Sequence, residues 1–90
     1  MEITVKVNAT AADEAEAAVC EVLVKLPEPV RRFAKAAAVF PGLTTGRRAG
    51  LVTVRVNDKA SRRDHDTILK ALRASGRVTS ADLPKPRRVL

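Results

Sequence analysis

Two aspartates one residue apart, Asp64 and Asp66, stand in the stretch "RRDHDTILKALRASG" (62–76), with Arg62 and Arg63 before them and Lys70 four residues after the second. Residues of these types at this spacing raise two chemistries. A carboxylate pair facing nucleic acid could hold a hard cation such as Mg²⁺, which takes oxygen ligands, keeps waters and activates one of them against a phosphodiester. Neighbouring arginines would then grip phosphate oxygens. The same residues also describe an ordinary capped surface helix. Ser61-x-x-Asp64 has the spacing of a capping box, Asp66 and Lys70 are an i, i+4 pair, and both aspartates favour the positive end of the helix dipole. On a regular helix residues i and i+2 diverge, so both carboxylates could meet one ion only if Asp64 lies at an irregular helix entrance.

The order of elements adds a resemblance. "VTVRVN" (52–57) leads as a strand through Arg62 and Arg63 into "RRDHDTILKAL". This resembles the active-site segment of RusA-type Holliday-junction resolvases over residues 51–82. The resemblance implies that Asp64 and Asp66 help hold Mg²⁺, that Lys70 contacts or polarises the scissile phosphate, and that Asp82 supplies the third family carboxylate. The chain departs from the family at Thr67, where an Asn is usual, and at "SADL" (80–83), which carries one carboxylate where the family has an acidic pair. A second resemblance covers residues 22–56. "LVKLPEPVRRFAKAAA" followed by "TTGRRAGLVTVRV" looks like phage tail-completion proteins and implies a structural role in joining phage parts.

Other reactive types are sparse. The single Cys20 leaves no intrachain disulfide and, with the single His65, no Cys/His zinc set. Cys20 falls on the apolar side of an expected helix, which suits a buried, inert thiol. His65 has no second His or Cys beside it and reads as an exposed first-turn side chain. "TTGRRAG" (44–50) offers backbone amides and two arginines to a phosphate, without the Gly-Lys-Ser/Thr ending of a P-loop.

The elements that must position these residues follow from periodicity. "ITVKVN" (3–8) alternates apolar and polar residues as a half-buried strand. Residues 9–26 change to helical period, with Ala15, Ala18, Val19, Val22, Leu23 and Leu26 on one stripe, Thr10 as the cap, and Pro27 as the stop. "PVRRFAKAAAVF" (29–40) predicts a second helix with Pro29 at its first position and Val30, Phe33, Ala34 and Ala37 turned inward. Residues 41–50 form a loop or hairpin, 51–57 a second strand, and Ser61 opens a third helix that Gly76 caps. "RVTS" (77–80) makes a short last strand. Residues 3–23 align without gaps on residues 52–72, an offset of 49.

Together these give a small single-domain α+β protein of order β-α-α-β-α(-β) over residues 1–83, with helices on one face of a small sheet. A ferredoxin-like arrangement is one form it could take. Residues 84–90 are a basic tail that two prolines keep out of a helix.

Ninety residues suit one domain, and the core must be aliphatic because Phe33 and Phe40 are the only aromatics. That leaves no aromatic platform of the kind found in RNA-recognition or cold-shock domains. Residues 1–40 hold five Lys/Arg against six Asp/Glu, and residues 41–90 hold twelve against four. A strongly basic half favours an anionic partner. The expectation is a small nucleic-acid-binding accessory protein of phage or bacterial type, with DNA favoured. Arg47, Arg48, Arg55, Arg62, Arg63, Arg87 and Arg88 would lie against phosphates, and a Mg²⁺-dependent nuclease site would be nested within that reading. The alternative is a non-catalytic assembly module docking on an acidic protein surface, and a homodimer would help so thin a core. No signal peptide or membrane-length apolar stretch is apparent, so a bacterial or phage-infected cytoplasm is the expected setting.

Overall fold

A computed structural model of the chain describes residues 1–83; the tail 84–90, with Arg87 and Arg88, lies outside the described residues. Strand β1 (Glu2–Val7) leads into helix α1 (Ala12–Leu23) and a single-turn helix α2 (Val30–Phe33). Strands β2 (Ala34–Ala38) and β3 (Leu51–Val56), helix α3 (Arg62–Ala74) and strand β4 (Val78–Asp82) follow. The four strands form one antiparallel sheet in the order β2-β3-β1-β4. Two split β-α-β units, each with a strand of the other inserted between its own, produce this order, which is the ferredoxin-like arrangement.

The alternation in β1 and β3 sets which side is wet. Ile3, Val5, Val7, Val52, Val54 and Val56 are buried under the helices, while Glu2, Thr4, Lys6 and Arg55 look out from the open face. α1 crosses β2 and β3 with Ala15, Ala18, Val19 and Leu23 inward, and α3 lies against β4 with Ile68, Leu69 and Leu72 inward. Among the described residues no polar or charged residue is buried. The interior formed by the described residues is therefore aliphatic.

The 49-residue echo is the imprint of this fold. It carries β1 onto β3 and α1 onto α3. In the register that pairs Ile3 with Val54 and Val5 with Val52, its pseudo-two-fold axis passes through the Thr4–Thr53 pair.

Three local expectations are corrected. The second helix lasts one turn, and Ala34–Ala38 is an edge strand paired to β3, so Ala37 faces solvent and not the core. The alanine-rich stretch has good helix propensity, but as a helix it would bury only methyl groups and leave the edge of β3 unpaired. As a strand it satisfies that edge and lets α1 approach closely over Ala34, Ala36 and Ala38. Thr10 does not cap α1: the N-cap is Ala11, without a side-chain bond, and the Ala12 N–H donates instead to the Leu43 carbonyl at 2.9 Å. Gly76 takes no left-handed conformation; α3 closes at an extended Ser75 whose N–H donates to the Leu72 carbonyl.

Candidate nucleic-acid interface

α3 begins with a complete capping box. The Ser61 hydroxyl accepts from the Asp64 N–H at 3.2 Å, and the Ser61 N–H donates to Asp64 Oδ2 at 3.0 Å. The Asp64 carboxylate is thereby engaged with the backbone of its own helix, a role worth about 1 kcal/mol in such caps. Asp66 is exposed two residues on, and none of the ion pairs among the described residues joins it to Lys70. Thr67 donates its hydroxyl to the Arg63 carbonyl at 2.9 Å. His65 is half-buried and not exposed as its neighbours suggested; its Nε2 is enclosed and has no hydrogen-bond partner among the described residues. Cys20 is half-buried on α1 and not fully enclosed.

Asp82 lies on β4, opposite Thr4, with its carboxylate 3.8 Å from an Arg73 guanidinium whose Nε donates to the Ala81 carbonyl at 3.0 Å. Asp64, Asp66 and Asp82 thus have separate surroundings. Among the described residues no cluster of three or more His, Cys, Asp or Glu is placed to share a metal ion. The donor set does not fit the Mg²⁺ centre that the resolvase resemblance implies, because Asp64 serves as a cap and the three carboxylates are not gathered into one cluster among the described residues.

The sequence-predicted phosphate-binding arginines among the described residues fall in three places. Arg62 and Arg63 begin the outward face of α3, which continues through Asp66, Lys70 and Arg73, all exposed. This face bears four cations and one carboxylate. The exposed face of α1 bears Asp13, Glu14 and Glu21, and Lys25 follows just past its end. The helix layer is therefore divided, acidic over β2 and β3 and basic over β4. Arg55 stands on the open sheet face and is paired with Glu2 at 3.2 Å. Arg47 and Arg48 sit in a 3-10 turn (Arg47–Gly50) at the far end of β3 from Arg62 and Arg63. The six-residue strand between the two pairs spans about 17 Å. One compact ligand cannot touch both pairs, whereas a polymer can. Arg31 and Arg32 are engaged by Glu28.

The arginine turn has neighbours that its own stretch of sequence does not name. Lys6, at the end of β1, joins Arg47 and Arg48 in a groove that also includes Asn8, Thr10 and Thr79. The pairing of Lys6 with Leu51 brings them together. The alternation of "ITVKVN" marks Lys6 as outward, but its partners depend on the strand register.

No protein-family model matches the chain, and no curated protein or solved structure is significantly similar to it.

Proposed function

We propose that this chain is a small nucleic-acid-binding module that meets DNA phosphates mainly through the outer face of α3. The observation that carries this reading is the segregation of charge within the helix layer. On α3, Arg62, Arg63, Lys70 and Arg73 outnumber Asp64 and Asp66, whereas α1 carries Asp13, Glu14, Glu16 and Glu21 and no cation. A solubilising surface needs charge of either sign in any arrangement. A directed field, with net charge +7 over the whole sequence, attracts a polyanion to one side. The reading is one of binding, since Asp64 closes the capping box of its own helix and the described residues gather no carboxylate cluster.

Fluorescence anisotropy with labelled duplex DNA at several salt concentrations tests this. The logarithm of the affinity should fall linearly with the logarithm of salt, with a slope of about 0.9 per phosphate contacted. The double reversal Arg63→Glu with Lys70→Glu should remove roughly two phosphates from that slope and weaken binding at low salt by more than tenfold. Absence of binding at low salt would end the proposal and direct the search to an acidic protein partner, which would meet the same cations.

A further inference from the structure

The connection between β2 and β3 exposes one of the chain's two aromatics. Phe40 is 38% exposed, in a shallow surface with Val39, Leu43 and Arg48. The Arg48 guanidinium carbon lies over its ring, 5.8 Å from the centroid. A planar cation on an aromatic ring presents a π surface beside a positive charge.

Arg48 is also a wall of the groove that holds Lys6 and Arg47, about 670 Å³ in volume. All three charged residues lining that groove are cations, and none of them takes part in an ion pair among the described residues. Like charges brought together without partners repel, and an anion in the groove relieves that repulsion.

The groove is also shaped in advance. A Cβ on Gly50 would collide with the Val7 carbonyl oxygen, so the arginine turn is seated directly on the end of β1. Gly46, at φ +89°, makes the bend that admits the turn.

Composition excludes a platform of several aromatics, but a cationic groove and one stackable ring, joined through one arginine, supply both kinds of contact that unpaired nucleic acid uses. Phosphates follow the charge, and a base exposed by the absence of a partner strand stacks on the ring. A duplex keeps its base faces stacked inside the helix and can use only the cations. We infer that the Phe40–Arg48 surface and the Lys6–Arg47–Arg48 groove together bind single-stranded DNA, giving the chain a preference for unpaired over duplex strands. The inference rests on the nucleic-acid reading above and adds to it the kind of strand and the place where it is distinguished.

The test is anisotropy with a labelled oligonucleotide of about 12 nucleotides, single-stranded and as its duplex, on the full chain. The wild type should favour the single strand. Phe40→Leu, which keeps an apolar side chain but removes the ring, should weaken single-strand binding roughly tenfold and leave duplex binding and the thermal melting curve unchanged. Arg47→Ala with Arg48→Ala should lower the single-strand salt slope by about 0.7 for each phosphate no longer neutralised. If Phe40→Leu changes nothing, or weakens both forms by the same factor, the single-strand site is overturned while the α3 reading stands. If the wild type binds neither form, both fall together.

Discussion

At the scale of single residues, Gly50 is the glycine with the least room for a side chain. Its neighbour is the Val7 carbonyl oxygen, which already accepts from the Ala9 N–H at 2.9 Å. Backbone at the end of β1 has little room to yield, since Lys6 and Val7 are both paired in the sheet. Gly50→Ala should therefore destabilise the chain by about 3 kcal/mol, at the upper end of ordinary overpacking costs, as measured by urea unfolding. A loss under about 0.5 kcal/mol would mean that the turn is not seated on β1 as described. Asp64 is the contrasting case. Its partners are three residues away, and so its capping role is legible from Ser61-x-x-Asp64 alone. The surroundings of Asp82 depend on Arg73, which approaches only when α3 packs along β4.

At the scale of elements, β2 shows where local preference yields to pairing. The Asn57 N–H donates to the Phe33 carbonyl and the Val39 N–H to the Leu51 carbonyl, so the alternation of an antiparallel ladder turns the amides of Lys35 and Ala37 toward β3. Those of Ala34 and Ala36 point to the open edge. Ala38 also points outward, and its N–H donates to Glu16 Oε2 at 3.3 Å. Amide hydrogen exchange followed by NMR should show protection at Lys35 and Ala37 and rapid exchange at Ala34 and Ala36. A helix continued through this stretch would protect all of these amides in succession, so the pattern decides between the two structures. β1, α1, β3 and α3 are all legible in the sequence, because each carries a periodic apolar pattern that local sequence cannot disguise. β2 is not, because "AKAAA" has no pattern of size or polarity to reveal its period.

At the scale of the whole molecule, the two halves share one interior. Ile3, Val5, Val19, Val52, Val54, Ile68 and Leu72 are fully buried in a single cluster drawn from both β-α units. Neither half can fold alone without exposing its inner face. Unfolding should therefore be one cooperative transition, and Ile68→Ala should cost about 3 kcal/mol. A chain of ninety residues has a total stability of about 5–13 kcal/mol, so that single change would lower the urea midpoint markedly without producing a second transition. Two separate transitions by circular dichroism would contradict the shared core.

What the sequence by itself determined is the set of strongly periodic elements, the capped start of α3, the aliphatic character of the core and the charge imbalance between its two halves. Each depends on neighbours within a few residues or on composition alone. Only the tertiary structure decided that the alanine stretch becomes an edge strand and that Arg47 and Arg48 lie a strand's length from Arg62 and Arg63. It also decided that Lys6 and Phe40 stand beside the arginine turn, and that the three aspartates keep apart. Those outcomes depend on strand register and helix docking, in which partners distant in the chain are brought together by the burial of apolar faces.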